Sequence, residues 1–128
     1  MTSEEFKETY KAKGWTQELL KDRWGISIRR VGQIVDSPED NRHYWSDAIN
    51  GIYKIDRSSD SLDIKKYLTF TQAQFREKYQ EKGWTADSLA LHWGFSNKPG
   101  MYRLIKRNPA VAIDALYGLP INPNKGSD

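Results

Sequence analysis

The apolar residues of this chain recur at helical spacing, and the same order of them occurs twice. Phe6 and Tyr10 are four residues apart, as are Leu20 and Trp24, and polar residues surround both pairs. This spacing places each pair on one face of an amphipathic helix. Over residues 6–27, 11 of 22 positions are identical to those 69 residues further on, which indicates a duplicated helical unit. The matching pairs in the second copy are Phe75 with Tyr79 and Leu89 with Trp93.

Polar residues predict where these helices begin and end. Thr2 and Glu5 have the spacing of a capping box at the start of the first helix. Gly14 is expected to end that helix, and Thr16 to cap the second one. The second copy repeats the same signals at Thr71, Gln74, Gly83 and Thr85.

A glycine turn and a third helix follow in both copies. Gly25 and Gly94 are typical of the left-handed residue that follows a helix. Ser27 and Ser96 are the predicted caps of the third helix. In the first copy the apolar residues of this helix are Val31, Ile34 and Val35. Its outward residues are then Ile28, Arg29, Arg30 and Gln33.

The second copy carries one extra residue at the start of its third helix. Pro99-Gly100 is expected to delay the start of that helix by a turn, because proline favours a first helical position. The apolar set of this helix is Met101, Leu104 and Ile105. The residues predicted to face outward are Asn97, Lys98, Tyr102 and Arg103.

Both copies close with a short helix that shares the sequence Asp-Ala-x-x-Gly, at residues 47–51 and 114–118. The chain is therefore predicted to be all-α, with two tandem small helical domains that each contain a helix-turn-helix and are joined by a short polar linker. The predicted boundaries are residues 1–55 for the N-terminal domain, 56–70 for the linker and a short connecting element, 71–121 for the C-terminal domain and 122–128 for a disordered tail.

The composition excludes several kinds of site. The chain has no Cys, which excludes disulfides, thiolate metal sites and cysteine nucleophiles. No apolar run approaches the ~20 residues of a membrane span, and the N-terminus lacks the pattern of a signal peptide. No Ser/His/Asp arrangement or phosphate loop occurs, and His43 and His92 are isolated, so we interpret both as surface or rim residues. We therefore expect a cytoplasmic protein with no enzymatic activity, cofactor, metal or membrane partner.

The basic charge is concentrated on the duplicated segments. The net charge is only +3, but residues 71–110 carry seven Lys or Arg against three acids. In the first copy, Arg29 and Arg30 are adjacent just after the glycine turn. This distribution is compatible with a polyanionic partner.

Both halves of the chain resemble the lambda-repressor-like (Cro/cI type) helix-turn-helix family, over roughly residues 3–53 and 72–119. The pattern Thr-x3-Leu-x3-Trp-Gly-(Ile/Phe)-Ser, at residues 16–27 and 85–96, carries the resemblance. It implies small domains of four or five helices whose third helix lies in the DNA major groove. The closing helices are similar to those of small phage and plasmid regulators, which implies a transcriptional repressor.

The resemblance implies that the exposed start of the third helix reads bases. In the first copy these readers are Ser27, Ile28, Arg29, Arg30 and Gln33. Their chemistry agrees, because Arg can bind guanine O6 and N7, Gln an adenine edge, and Ile a thymine methyl. Gln17, at the start of the second helix, is expected to contact a phosphate.

The second copy departs from this pattern. Ala86 replaces Gln17, and the Pro99-Gly100 insertion falls at the turn before the third helix. Its matching readers are Ser96, Asn97, Lys98 and Arg103, with Lys106 and Arg107 as expected contacts to the DNA backbone.

These residues predict a sequence-specific repressor of double-stranded DNA, acting on its own or a neighbouring promoter. Two modules in one chain can act as a pseudo-dimer on successive major grooves ~34 Å apart. Alternatively, the chain forms a homodimer through an Asp-Ala-x-x-Gly helix. A competing hypothesis is a protein-interaction module in which the second repeat has lost DNA reading. A weaker third hypothesis, non-specific nucleoid or RNA binding, fits poorly with the low net charge.

Overall fold

A computed structural model of the chain describes residues 1–39, 43–55 and 71–123, and over these residues the protein is all-α, as predicted. Residues 1–55 are called repeat one, and residues 71–123 repeat two. The helices of repeat one are α1 (Ser3–Ala12), α2 (Gln17–Trp24), α3 (Ile28–Asp36) and α4 (Tyr44–Gly51). Those of repeat two are α5 (Gln72–Glu81), α6 (Ala86–His92), α7 (Lys98–Arg107) and α8 (Pro109–Gly118). The linker predicted at 56–70 lies outside the described residues.

The predicted starts of the first two helices are confirmed in both repeats. Thr2 Oγ1 accepts a hydrogen bond from the Glu5 amide at 3.1 Å, and Glu5 Oε1 accepts one from the Thr2 amide at 3.2 Å. Thr71 and Gln74 make the same capping box, with distances of 3.1 and 2.9 Å. These reciprocal bonds satisfy amides that have no partner inside the helix.

The third helix of repeat two begins differently from the prediction. Asn97, not Ser96, is its cap, and Asn97 Oδ1 accepts a hydrogen bond from the Gly100 amide at 2.9 Å. The helix starts at Lys98, so the insertion shifts the start by one residue instead of a turn. The shift is small because proline lacks an amide hydrogen, and the first turn of a helix needs no partner for that position.

The two repeats share one buried core, so a boundary between two separate domains is not confirmed. Their closing helices, α4 and α8, pack directly against each other. Contact is closest at two glycines: a Cβ built on Gly51 would lie 1.8 Å from the Asp114 carbonyl oxygen, and one on Gly118 would lie 1.8 Å from the Asp47 carbonyl oxygen. The absence of side chains at these positions is what allows the backbones to touch.

Each closing helix also places its aspartate against the second helix of the other repeat. Asp114 accepts hydrogen bonds from Arg23 Nε (2.7 Å), Arg23 Nη2 (2.6 Å) and Trp24 Nε1 (2.7 Å). Burial raises the pKa of Asp114, and the hydrogen bonds from Arg23 and Trp24 oppose that rise. The arrangement crosses between the repeats and therefore ties them together.

The second crossing contact uses a histidine where the first uses an arginine. Asp47 Oδ2 lies 2.9 Å from both Trp93 Nε1 and His92 Nε2. The His43 ring stacks on the His92 ring, with centroids 4.4 Å apart. Both histidines lie at the surface or rim, as predicted, since His43 is exposed and His92 is partly buried. They are not isolated, because folding brings together residues that are far apart in sequence.

Two lysines close the carboxyl ends of α4 and α8. Lys13 Nζ donates to the carbonyl oxygens of Ile49, Asn50 and Ile52 at 2.6–3.1 Å. In repeat two, Lys82 Nζ donates to the carbonyl oxygens of Leu116, Tyr117 and Leu119 at 2.7–3.1 Å. Desolvation lowers the pKa of Lys13 and of Lys82. These contacts satisfy carbonyls that α-helices leave unpaired at their ends.

Replacing Lys82 with Met should lower the free energy of unfolding by about 1–2 kcal/mol, because three carbonyls at the end of α8 lose their donor. Urea denaturation monitored by tryptophan fluorescence measures this loss. Lys11→Met is the matched control, since Lys11 is an exposed lysine on α1. Equal destabilisation by the two substitutions would contradict the role assigned to Lys82.

The predicted disordered tail does not begin at residue 122. The Asn122 amide donates to the Lys82 carbonyl oxygen at 2.8 Å, and Asn122 Nδ2 donates to the Gly83 carbonyl oxygen at 3.0 Å. Asn122 is buried as a result. Residues 124–128 lie outside the described residues. Within the described part of the chain, no helix has the length and apolar character needed to cross a membrane.

Candidate nucleic-acid interface

In repeat one, α2, a glycine turn and α3 form a compact helix-turn-helix. Gly25 follows α2 in the left-handed conformation, with φ of 63°, and its amide donates to the Lys21 carbonyl oxygen at 2.9 Å. Ser27 then caps α3, because its hydroxyl accepts a hydrogen bond from the Arg30 amide at 3.1 Å. Only two residues separate the cap of α3 from the end of α2, so the two helices are held close together.

The two faces of α3 differ sharply. Its apolar face is formed by Val31, Ile34 and Val35, which are at most 2% exposed. The opposite face is exposed and consists of Ile28, Arg29, Arg30 and Gln33. No acidic residue lies in the first turn of the helix. The residues predicted to read bases are therefore brought together on one accessible surface.

A buried tryptophan, Trp45, contacts one of the arginines on this surface. The guanidinium carbon of Arg30 lies 5.5 Å from the centre of the Trp45 ring, which belongs to α4. Such a cation–π contact restricts the rotation of the arginine side chain. Arg30 Nη1 also donates weakly to Gln33 Oε1, at 3.5 Å. Sequence reasoning missed the contribution of Trp45, because nothing in the spacing of α3 and α4 indicates which residues meet.

Gln17 is the first residue of α2 and is half-buried beside the cap formed by Thr16. Ser27 caps the start of α3 in the same way that Thr16 caps the start of α2. Both helices therefore begin at capped amino-terminal ends, where the helix dipole and free amides favour an anion.

Repeat two presents a different outer face. Once Asn97 is matched with Ser27 as the helix cap, Pro99 and Gly100 occupy the positions of Arg29 and Arg30. The start of α7 therefore lacks the two arginine side chains that α3 exposes. Ser96, predicted to read bases, lies before the cap.

The remaining cations of α7 are exposed but partly engaged. Lys98 Nζ lies 3.8 Å from Asp87 Oδ1, and Arg103 Nε donates to the Pro99 carbonyl oxygen at 3.4 Å. Lys106 and Arg107 lie exposed in the last turn of the helix. The outer face of α7 is thus basic, but it has no side chain that matches the paired arginines of repeat one.

No described residues form a group of three or more His, Asp or Glu side chains suited to a metal ion. Comparisons with models of known protein families, with curated proteins and with solved structures returned no match.

Proposed function

We propose that the chain is a cytoplasmic, sequence-specific DNA-binding protein that represses transcription, with α3 as its base-reading helix. The observation that carries this proposal is the outer face of α3, where Ile28, Arg29, Arg30 and Gln33 are exposed opposite a fully buried apolar face. A helix of this width fits the major groove of B-form DNA. In that position the arginines can contact guanine, Gln33 adenine, and Ile28 a thymine methyl group.

Contacts to phosphates would set the position of α3 on the duplex. Gln17 and Ser27 lie at the amino-terminal ends of two adjacent helices, where an anion is stabilised. In repeat two, the exposed cations Lys98, Arg103, Lys106 and Arg107 provide non-specific contacts to the backbone. The proposed site is therefore asymmetric: repeat one reads the sequence and repeat two adds affinity.

Arg29→Ala should weaken binding to the preferred sequence by about 1–3 kcal/mol and relax the choice of base at one position. It should weaken binding to random duplexes much less, because there the substitution removes only the attraction between one positive charge and the DNA phosphates. Fluorescence anisotropy with both duplexes at fixed salt measures the difference. Lys11→Ala removes an exposed cation outside the proposed interface and is the matched control. Equal losses on both duplexes would rule out base reading by Arg29.

A second candidate function assigns repeat two to protein interaction. The observation that favours it is the pair Pro99 and Gly100 at the reading positions of α7, beside an exposed Tyr102 ring (44% exposed). The double variant Lys98→Ala/Arg103→Ala distinguishes the two functions. If repeat two contacts DNA, the double variant should protect a shorter stretch of DNA from nuclease than the unsubstituted protein does. An unchanged footprint would support the interaction function for this repeat.

A further inference from the structure

Repeat two contains a groove between α5, α7 and α8, with a volume of about 680 Å³. This volume lies within the range of sites that bind small organic molecules. Its floor is apolar and includes Phe75 of α5, Ile105 of α7 and Ile113 of α8. An apolar group of a ligand could therefore be buried there with a favourable loss of contact with water.

One side of the groove is polar and basic. Arg76, Tyr79 and Tyr102 line this side of the groove. Burial and Tyr102 raise the pKa of Tyr79, and Arg76 opposes this rise. Lys106 also lines the groove, and no Asp or Glu occurs among its described lining residues. Among the described residues that line the groove, the charged side chains are therefore the cations Arg76 and Lys106.

The corresponding surface of repeat one has a different chemistry. Matching the helix caps and the Asp-Ala-x-x-Gly segments places Gly32 at the position of Tyr102, Asp36 at that of Lys106 and Trp45 at that of Ala112. Repeat one thus has an acid in place of a cation, and a bulky buried ring in place of a small side chain that lines the groove. The scaffold residues Phe75 and Tyr79 are the same in both repeats, as Phe6 and Tyr10. The two repeats have diverged where the groove lies.

We propose that this groove binds a small apolar carboxylate, such as an aromatic or branched-chain acid. The apolar part of the ligand packs on Phe75, Ile105 and Ile113. Its carboxylate binds the Arg76 guanidinium, which can donate two parallel hydrogen bonds, and a tyrosine hydroxyl. Lys106 adds a second positive charge. A neutral ligand of the same shape would lack the charge-assisted hydrogen bonds to Arg76, so the site selects for the anion.

The test uses 2-naphthoate as the probe and the full chain without DNA, so its result is independent of the proposed DNA binding. Isothermal titration calorimetry should give one saturable site per chain. The neutral analogue naphthalen-2-ylmethanol should bind about tenfold more weakly or worse, because a hydrogen bond to a charged group is lost. Chemical-shift changes should be confined to α5, α7 and α8, with Tyr102 and Ile105 among the residues affected.

Arg76→Gln should weaken the binding of 2-naphthoate by about tenfold, because Arg76 supplies the charged partner. Lys7→Gln changes the equivalent position of repeat one and should leave binding unchanged. Circular dichroism of both variants controls for folding. The proposal is overturned by any of three results: no saturable binding, equal affinity for the neutral analogue, or equal effects of Arg76→Gln and Lys7→Gln.

Discussion

Replacing Asp114 with Ala should lower the free energy of unfolding by about 3–5 kcal/mol, because it breaks a buried ion pair. Arg23 is 1% exposed, and the substitution removes the two charge-assisted hydrogen bonds that its buried guanidinium donates to this carboxylate. The Trp24 indole loses its acceptor as well. Urea denaturation followed by fluorescence and circular dichroism measures the loss.

Two comparisons make this prediction specific. Asp47→Ala should cost less, because His92 makes one hydrogen bond to Asp47 and is partly exposed, whereas the fully buried Arg23 makes two to Asp114. Glu18→Ala removes an ion pair between Glu18 and Lys21 on the surface of α2 and should change stability little. If Asp114→Ala and Glu18→Ala had the same small effect, the buried pair would not hold the repeats together.

Gly118→Ala should destabilise the protein by about 3 kcal/mol or more, at the upper end of the range for overpacked cores. The added Cβ would lie 1.8 Å from the Asp47 carbonyl oxygen and 2.5 Å from the Gly51 amide nitrogen. Both neighbours are backbone atoms, which cannot rotate away as a flexible side chain can. The closing helices α4 and α8 would therefore have to separate, and the apolar surface between them would meet water. Thermal and urea denaturation both measure this effect.

Gly32→Ala is the matched control for that substitution. Gly32 also lies in a helix, but a Cβ built on it meets no atom within 4 Å. Alanine favours the helix over glycine by up to about 1 kcal/mol, so this variant should be as stable as the original protein or more stable. A similar loss in both variants would mean that the contact between α4 and α8 is not as close as described.

Local features of the fold could be predicted from the sequence, because local interactions determine them. The capping boxes at Thr2 and Thr71 depend on residues only three positions apart, and both are present. The start of α7 was placed wrongly for a local reason too: Asn97 competes with Ser96 as a cap, and proline is compatible with the first turn, so the pattern alone did not decide between them.

Contacts between the repeats could not be predicted, because sequence spacing says nothing about which distant side chains meet. The Asp-Ala-x-x-Gly segments were visible as a repeat, and an aspartate within an apolar helix is a signal of a buried polar contact. Its partners, Arg23 in one case and His92 in the other, depend on how α4 and α8 cross. For the same reason the sequence predicted two separate domains and did not indicate that the two repeats share one core.

At the candidate interface, the outward face of α3 could be predicted from the sequence. The residue of α4 that packs against this face, and the residues at the matching positions of α7, could not. The apolar period of Val31, Ile34 and Val35 is enough to place Arg29 and Arg30 outside. The contact between Trp45 and Arg30 could not be predicted, because it depends on how α4 packs against α3. The insertion already indicated that the repeats are unequal, but the position of the helix cap was needed to show that Pro99 and Gly100 replace the two arginines.

The most direct test of base reading by repeat one is selection of bound sequences from a pool of random duplex DNA. The full chain should enrich one asymmetric motif. The double variant Arg29→Ala/Arg30→Ala should lose that motif, whereas Lys98→Ala/Arg103→Ala should recover the same motif with lower affinity. Failure of the full chain to enrich any motif, or recovery of an unchanged motif by the Arg29→Ala/Arg30→Ala variant, would contradict the proposed function.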